Sequence, residues 1–551
     1  MIGSEPPFRP SAPLTRRGLF QLGGITAALA ASPAIARTFG SGFTHGVASG
    51  EPGQNRVLLW TRFVAEQETP LSWQVSEKQD FGAITAEGSA VAAPTSDWCV
   101  KSWADGLEPN RWYYYRFTAP DGSRSEIGRT RTLPAGGTDP FRMAVFSCSN
   151  YAFGYFNAYA HAAEANDADL AVHLGDYIYE YRRGTYPSAD EAQPGRLLWP
   201  EHEIVALADY RLRYATYRSD PDLRRIHQTL PMIAIWDDHE SANDSWTGGA
   251  QNHQPETEGD WEVRKAAAKR AYREWMPVSD ETYAAYEIGD LATLIRLDTR
   301  LEGREEPYNL ASVLSGAGSA ADAVAALTAF RDGAWADPDR TLLGMKQEAW
   351  LADALKASRG SGKVWQVLAQ QVVMGNLMTP PDIVEALAAN APDFIRQRVT
   401  AAAMAGRAGL PSNMDAWDGY PSARERLLAA AREADANLVV LAGDSHNAWT
   451  FELAHAGEKA GVEFAVQSVS SPGLEAYLGA ADPRRLAVSL ATHNERLKFS
   501  DTSHRGYGLL ELTGERVTNE YRFLDTVRTR STRLAAKASF TSEASTNVLA
   551  G

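Results

Sequence analysis

The chain has 551 residues, which is more than one ordinary hydrophobic core requires and predicts two or more domains. Apolar residues make up 44% of the sequence and charged residues 22%, proportions that are typical of a globular protein. The formal net charge of −15 argues against a dedicated nucleic-acid binder, because such proteins carry a basic face.

The first 36 residues have the pattern of an export signal. Two adjacent arginines, Arg16 and Arg17, precede an apolar run of small residues over 22–31, and an A-x-A cleavage signature follows at 34–36. This pattern predicts a twin-arginine signal peptide over 1–36 and a periplasmic or secreted protein. The alternatives are an ordinary secretory signal or a short membrane anchor. The run is shorter than the ~20 residues of a membrane span, so we expect no stable span in the mature protein.

The sequence contains two cysteines, Cys99 and Cys148. An even pair in an exported protein suggests a disulfide. The two residues lie in different predicted domains, however, and Cys148 belongs to a group of metal-competent side chains described below. The sequence therefore leaves the disulfide as an alternative.

Residues 41–133 have the pattern of a small all-β domain. Aromatic and β-branched runs at 57–60, 71–75 and 112–117 are separated by turns that are rich in glycine, proline and asparagine. This spacing favours a β-sandwich of the immunoglobulin or fibronectin type. The proline- and glycine-rich residues 134–140 then predict a linker.

From 141 to 525 strands and helices alternate, which predicts a layered α/β body whose sheets are covered by helices. Strands are expected at 142–147, 170–174, 231–236, 364–369, 438–441 and 463–469, with strand pairs in 283–298 and 508–523. Helices are expected at 155–165, 261–276, 346–356 and 423–434. The alanine-rich stretches 312–329 and 386–408 predict surface helices or flexible insertions. A C-terminal helix with a loose tail is predicted over 526–551.

Four segments place polar side chains directly after a buried strand: 147–150, 173–180, 236–243 and 443–447. Taken alone, each has an ordinary interpretation as a helix cap, a turn or a structural histidine. Together they bring carboxylates, a thiol and imidazoles to the strand ends of one α/β body. Such groups are costly to bury side by side unless a cation neutralises them. The set therefore predicts a metal site.

With these four segments in order, the chain resembles the PhoD-type alkaline phosphatases, a branch of the calcineurin-like metallophosphoesterases. The resemblance extends from about residue 41 to 525 and rests on the blocks 43–52, 147–150, 175–180, 236–240, 297–300, 342–347 and 442–446. It implies an α/β body of two packed sheets flanked by helices, preceded by the immunoglobulin-like domain. It also implies an exported, metal-dependent phosphoesterase that hydrolyses phosphate monoesters or diesters by attack of metal-activated water or oxide.

The resemblance also implies a set of metal ligands, position by position. Asp176 would bridge two metals, and a ferric ion would be held by Cys148, Tyr179 and His446. A second site, filled by calcium, would take hard oxygen ligands: Asp238, Asp444 and either Asn243 or Asn150. The donor chemistry agrees, because thiolate and phenolate suit iron whereas carboxylate oxygens suit calcium. The sequence leaves open whether other divalent metals bind at these positions.

Two residues are predicted to act on the substrate. By analogy with the family's histidine block, His239 would contact the phosphate or protonate the leaving alkoxide. Asn150 would supply a neutral phosphate contact. The expected substrates are a small phosphoester, a phospholipid or a phosphodiester polymer.

Four other functions are suggested by parts of the sequence. A serine hydrolase lacks its Gly-x-Ser-x-Gly elbow around Ser445. A nucleotide-binding loop at 360–363 fails because Val364 replaces the required Ser or Thr. A phospholipase D-like phosphodiesterase stays open within the same scaffold. From another class, an exported polymer-binding protein with a structural metal site also stays open.

Overall fold

The computed structural model describes residues 40–387, 393–478 and 482–550. The predicted signal peptide lies outside these residues. Within them, the chain forms sheets of ten, seven, four and two strands. No helix in these ranges combines the length and the apolar content that crossing a bilayer requires.

Between residues 40 and 134 the chain is mainly strand. In chain order the strands are β1 (Gly42–Gly50), β2 (Arg56–Val64), β3 (Thr69–Ser76), β4 (Ala86–Ala92), β5 (Cys99–Asp105), β6 (Trp112–Thr118) and β7 (Gly128–Arg131). The sheet β4-β3-β6-β7 packs against β1, β2 and β5 through a core that includes Leu59, Val75 and Phe117. Side chains alternate between this core and the outside, as in β6, where every second residue is buried. The predicted immunoglobulin-like β-sandwich is confirmed.

This sandwich shares one of its two sheets with the rest of the protein. β1 pairs with β2 on one side and, in parallel, with the body strand β10 (Met232–Ala234) on the other. The joint is reinforced by a buried ion pair, in which Glu51 Oε1 lies 2.5 Å from Arg296 Nη1 and both side chains are at most 5% exposed. The sandwich is therefore structurally continuous with the α/β body.

The other strands of the body are β8 (Phe141–Phe146), β9 (Leu170–His173), β11 (Ser245–Trp246), β12 (Gly249–Ala250), β13 (Ala284–Ile288), β14 (Ala292–Arg296), β15 (Trp365–Ala369), β16 (Leu438–Ala442), β17 (Ala448–His455), β18 (Glu458–Ala465), β19 (Leu497–Asp501), β20 (Arg505–Leu512) and β21 (Arg516–Leu524). Two more strands, β22 (Leu534–Glu543) and β23 (Leu549–Ala550), follow. The large sheets have the orders β23-β22-β21-β20-β8-β9-β10-β1-β2-β5 and β13-β14-β15-β16-β18-β17-β19.

Along the sequence, most of the helices lie between these strands. They are α1 (Asn157–Ala165), α2 (Leu207–Arg218), α3 (Pro221–Thr229), α4 (Pro255–Glu258), α5 (Trp261–Trp275), α6 (Leu310–Val313), α7 (Ala320–Asp332), α8 (Met345–Gly360), α9 (Asp393–Arg407), α10 (Pro421–Glu433), α11 (Leu474–Tyr477) and α12 (Pro483–His493). Short 3-10 turns occur at Pro94–Ser96, Ala334–Ala336, Pro381–Ala386 and Trp417–Gly419.

The two large sheets pack face to face because their central strands are apolar on both faces. Along β8, Met143 and Val145 enter the core between the sheets, whereas Ala144 and Phe146 face the helices outside. From the second sheet, residues such as Leu441 enter the same inner core, while its outer face packs against α8 and α10. The predicted architecture of two packed sheets flanked by helices is confirmed.

The predicted C-terminal helix is wrong. The segment forms β22, which pairs antiparallel with β21 from Leu524 opposite Leu534 to Arg516 opposite Glu543. Alanine and lysine favour a helix locally, but β21 would otherwise leave its backbone groups unpaired at the sheet edge. Phe540 also packs against Phe499, with ring centroids 5.0 Å apart.

The alanine-rich stretches contain surface helices. α7 packs against α9 and the residue that follows it through Leu327, Phe330, Ala405 and Ala408. Residues 388–392, which fall within the second predicted insertion, lie outside the described residues. Of the two interpretations offered by the sequence, helices are the one observed over α7 and α9.

Replacing Glu51 by alanine tests the joint between the sandwich and the body. Because Arg296 would stay buried without its partner, we expect the free energy of unfolding to fall by about 3–5 kcal/mol. The control is Glu511→Ala, which breaks the half-exposed pair with Arg142 and should cost less than about 1 kcal/mol. Urea unfolding measures both, and equal losses would contradict the structural role of this joint.

Candidate metal centre

The strand register brings the four polar segments to one edge of the protein. In the first sheet β8, β9 and β10 are parallel, with Phe146 opposite His173 and His173 opposite Ala234. In the second sheet β15, β16 and β18 are also parallel, with Ala442 opposite Ala465. The loops that follow these strands therefore leave the sheets at a common level, which is where α/β proteins form their sites.

Four of the predicted ligands have a left-handed backbone, which residues other than glycine seldom adopt. The φ angles are 60° at Cys148, 55° at Asp176, 58° at Asp444 and 63° at His446. Such conformations cost of order 1–3 kcal/mol each and are concentrated at functional sites. The chain therefore turns sharply at the very residues whose side chains meet.

Two glycines allow the loops to touch. Gly175 has a φ of +105°, and a Cβ at this position would lie 2.3 Å from Asp237 Cβ. At Gly443 an added Cβ would lie 2.0 Å from Ser147 Oγ. Because no side chain fits at either position, these glycines set the spacing between the segments.

The first group of donors consists of Cys148, Asp176, Tyr179 and His446. Donor atoms of Cys148, Asp176 and His446 lie within 4.8 Å of one another. The Tyr179 hydroxyl donates to Asp176 Oδ2 at 2.9 Å and lies 3.2 Å from His446 Nε2. One thiol, one phenol, one carboxylate and one imidazole thus converge on a single point.

The imidazole of His446 is oriented as a ligand would be. Its Nδ1 lies 2.7 Å from the carbonyl oxygen of Pro472, so a proton on Nδ1 completes this hydrogen bond. Burial lowers the pKa of His446 to about 3, which keeps the ring neutral. Nε2 is then left with its lone pair facing Tyr179 and Asp176, as in metal sites where a backbone carbonyl fixes the tautomer.

The second group consists of three aspartates, Asp237, Asp238 and Asp444, whose donor atoms also lie within 4.8 Å of one another. Arg300, which is fully buried, forms ion pairs with Asp237 and Asp444, the second at 2.9 Å. It also pairs with Asp415 at 2.7 Å. One guanidinium therefore organises several carboxylates but cannot balance all of their charge.

Burial and mutual repulsion shift the ionisation of both groups. Burial raises the pKa of Asp176 well above its usual range, and the nearby Asp238 and Asp237 raise it further. Burial together with Asp237 likewise raises the pKa of Asp444. Burial and the charge of Asp176 raise the pKa values of Cys148 and Tyr179. A bound cation would reverse these shifts, because it favours the ionised forms.

His239 lies between the two groups, and Asp176, Asp238 and His239 form a third cluster of donor atoms within 4.8 Å. Its Nδ1 is 2.7 Å from Glu180 Oε2, and its ring lies over Tyr179 with centroids 4.2 Å apart. Burial alone would lower its pKa, but Asp238, Asp176 and Glu180 raise that pKa well above the ordinary value. The protonated imidazolium is therefore favoured here.

The two predicted asparagines contact other groups. Asn150 is buried, and its Oδ1 accepts a hydrogen bond from Phe153 N at 3.1 Å. Asn243 donates from Nδ2 to Gln251 Oε1 at 3.0 Å. Neither contact brings the asparagine side chain into the two groups of donors. The roles of Asn150 and Asn243 in binding metal or phosphate therefore stay predictions.

The two cysteines are both free and buried, so the disulfide considered from the sequence is not formed. Cys148 Sγ lies 2.9 Å from Ser147 Oγ within the first donor group. Cys99 lies at the start of β5, in the sandwich. The thiol of Cys148 is thereby available as a ligand.

Several supporting residues were not predicted as site residues. Glu240 accepts backbone hydrogen bonds from Asp176, Tyr177 and Asp237, at 3.1, 2.5 and 2.7 Å, and so braces two of the loops. Arg300 lies in one of the blocks on which the family resemblance rests. The sequence of that block does not indicate which residues Arg300 contacts. Asp415 has no local signal, because its role depends on a contact with a residue 115 positions away.

The donors present fit a pair of unlike cations. Asp176 Oδ1 is buried and has no hydrogen-bond partner among the described residues, although Oδ2 accepts from Tyr179. An unpaired buried carboxylate oxygen is costly, and a cation would satisfy it. The thiol and phenol on one side suit iron, whereas the carboxylates on the other suit a hard cation such as calcium.

Replacing Gly175 by alanine tests whether the loop spacing matters. The new Cβ would meet Asp237, so we expect the free energy of unfolding to fall by several kcal/mol and metal content to drop. Gly362→Ala is the control, because Gly362 also has a positive φ (+82°) but has open space at its Cβ. Urea unfolding and elemental analysis give the result. If the two variants behaved alike, backbone strain alone would account for the effect of Gly175→Ala.

The chain is similar to known proteins along most of its length. The model of the PhoD-like phosphatases matches residues 143–521, and that of their N-terminal domain matches residues 28–134. Alkaline phosphatase D of Bacillus subtilis (strain 168) is 33% identical over 529 residues, which cover 90% of this chain and 80% of that protein. A solved structure of PhoD superposes with a TM-score of 0.73 at 30% identity, covering 92% of this chain and 91% of that one.

The first of these matches spans well over half of the sequence and contains all four polar segments. The fold, the site and the relatives therefore agree: the chain belongs to the PhoD-like phosphatase family and is a phosphoric ester hydrolase.

Proposed function

We propose that the protein is a metal-dependent alkaline phosphatase that uses a ferric ion and a calcium ion to hydrolyse small phosphoesters. The observation that carries this proposal is the convergence of Cys148, Asp176 and His446 within 4.8 Å, directly beside the aspartate group. Asp176 belongs to the first group and also clusters with Asp238, which supports a role in holding both ions.

The ferric ion would be held by Cys148, Tyr179, His446 and Asp176. The contacts of the Tyr179 hydroxyl with Asp176 and His446 support this set, since all of these donors face one point. Thiolate and phenolate are strong donors that would be poorly matched to calcium. The high charge of a ferric ion would favour ionisation of both Cys148 and Tyr179.

The calcium ion would be held by Asp238, Asp444 and the shared Asp176, with Asn243 or Asn150 completing the set. Carboxylate oxygens are the usual ligands of calcium. Arg300 holds Asp237 and Asp444 at the edge of this group and limits their repulsion. Asp237 is therefore assigned to positioning the neighbouring aspartates through Arg300.

When bound, the two cations would polarise the phosphoryl oxygens and stabilise the charge that develops on them. The chain supplies the proton for the leaving group. Glu180 accepts from Nδ1 of His239 and, because it is not a proposed metal ligand, favours the protonated ring when the cations are bound, so Nε2 can protonate the departing alkoxide. Asp237 and Glu240 keep this region rigid through their backbone and ion-pair contacts.

The proposed substrate is a small phosphoester. A phosphatase would prefer a monoester, whereas the alternative, a phospholipase D-like phosphodiesterase, would prefer a diester. Side-by-side hydrolysis of p-nitrophenyl phosphate and bis-p-nitrophenyl phosphate, after each metal is added back, decides between them. A preference for the monoester supports the phosphatase. A preference for the diester supports the alternative, and hydrolysis of neither would contradict both.

We also propose export by the twin-arginine route to the periplasm or the exterior. The paired arginines and the A-x-A signature of the first 36 residues support this proposal. Because that route carries folded proteins, it suits a protein whose metal site is assembled before export. Replacing Arg16 and Arg17 by lysine should trap the protein in the cytoplasm, and unchanged fractionation would contradict the route.

Replacing Tyr179 by phenylalanine tests the ferric ligand. A phenolate bound to ferric iron absorbs visible light, so the purified protein should be coloured and the variant should lose its visible band. Tyr177→Phe is the matched control, because the Tyr177 hydroxyl contacts His227 at 2.8 Å, away from the donors. This control should keep the colour. A colourless wild-type protein that contains no iron by elemental analysis would refute the ferric assignment.

Replacing Asp176 by asparagine tests the bridging carboxylate. We expect turnover of p-nitrophenyl phosphate to fall by about three orders of magnitude or more, since both ions lose a shared anionic ligand. The control is Asp167→Asn, which alters a partly exposed ion pair with Arg522 before β9, at the other end of the same strand. Retained turnover in Asp176→Asn, with circular dichroism unchanged, would exclude the bridging role.

A further inference from the structure

A cavity lies away from the metal centre, where the β-sandwich meets the body. Its volume is about 630 Å³, within the usual range of small-molecule sites. One wall is formed by β5 and the other by α5 and the segment after it. Its charged lining residues are Lys101, Lys269, Arg270, Arg273, Glu274 and Asp280. We refer to this cavity as the basic cleft.

The basic cleft carries a local excess of positive charge. Four of its charged side chains are cationic and two are acidic. Glu274 is already paired with Arg211, outside the lining, by two contacts of 2.6 Å. Asp280 lies 3.6 Å from Arg273 Nε but is 88% exposed, so its charge is screened by solvent. Lys269 is paired with Glu302, also outside the lining, at 3.4 Å. With Arg211 and Glu302 included, five cations face three carboxylates, and an excess of positive charge remains. This excess contrasts with the net charge of −15 of the whole chain.

Two arginines are placed to act together. Arg270 and Arg273 are three residues apart on α5 and so project on one side of the helix. Arg270 contacts Glu274 at 2.9 Å and the carbonyl oxygen of Thr95 at 2.6 Å. Arg273 donates from Nη2 to the carbonyl oxygen of Asp280 at 2.8 Å. A guanidinium has five N–H groups, so both arginines are anchored and still have donors to offer.

The back wall of the basic cleft approaches the catalytic sheet. Lys269 Nζ lies 5.2 Å from the ring centroid of Trp236. Trp236 directly precedes Asp237 and Asp238 in the chain. The cleft is thus separate from the metal centre but is built on the same layer of structure.

We propose that the basic cleft is a second binding site for phosphate groups. Arginine recognises the oxygens of phosphate by paired, charge-assisted hydrogen bonds, and two anchored arginines with two lysines around one cavity suit this anion. The phosphate group is either free inorganic phosphate or part of a phosphodiester chain that extends along the surface. This inference rests on the cleft alone and does not depend on the metals proposed for the active site.

The test is isothermal titration calorimetry with inorganic phosphate at low salt, on the metal-loaded wild-type protein and on the double variant R270Q/R273Q. We expect the variant to lose a salt-sensitive binding component, weakened about tenfold or more. Both proteins should turn over p-nitrophenyl phosphate equally. The control is K356Q/R432Q, which removes two exposed cations from α8 and α10 and should bind phosphate as the wild type does.

A second titration identifies the source of the phosphate group, with a thymidylate octamer as a soluble phosphodiester chain. If R270Q/R273Q weakens binding of inorganic phosphate alone, the ligand is the free anion. If it weakens binding of the octamer, the ligand is a chain. Identical isotherms for wild type, R270Q/R273Q and the control with both probes would overturn the proposal, even if the phosphatase activity were established.

Discussion

The site depends on the cost of burying several acidic groups beside one another. Asp176, Asp237, Asp238 and Asp444 meet where two sheets end, and burial raises the pKa values of three of them, Asp176, Asp237 and Asp444. Arg300 offsets part of this repulsion but is shared with Asp415. A protein gains little from such an arrangement for stability alone. Cations that complete the site would explain why Asp176 Oδ1 has no hydrogen-bond partner within the described part of the chain and why the predicted ligands have a left-handed backbone.

The fold brings these acidic groups together because it aligns the ends of the strands that precede them. Parallel pairing of β8, β9 and β10, and of β15, β16 and β18, brings all four loops to one edge. The loops then touch through Gly175 and Gly443, where a side chain would not fit. The sandwich contributes more than an added domain, because β1 extends the first sheet and Glu51 neutralises the buried Arg296. Its removal would therefore expose the edge of β10.

Much of this could be predicted from local sequence, and the exceptions share a cause. The helix predicted at 261–276 is observed as α5, and the four polar segments meet as predicted. Both predictions succeeded because apolar periodicity and strand-end turns are signals within the local sequence. The C-terminal strands, the shared sheet and the Arg300–Asp415 pair all depend on partners far along the chain. Local preference predicts a helix where β22 forms, because its alanines and lysine favour a helix. Pairing with the edge of β21 outweighs that preference.

The proposed ferric ion would lie among Cys148, Tyr179, His446 and Asp176. Anomalous diffraction from crystals of the purified protein, recorded on both sides of the iron absorption edge, tests this placement most directly. We expect an iron peak within bonding distance of the Cys148 sulfur, the Tyr179 oxygen and His446 Nε2. Well-ordered side chains at this site with no iron peak between them would contradict it.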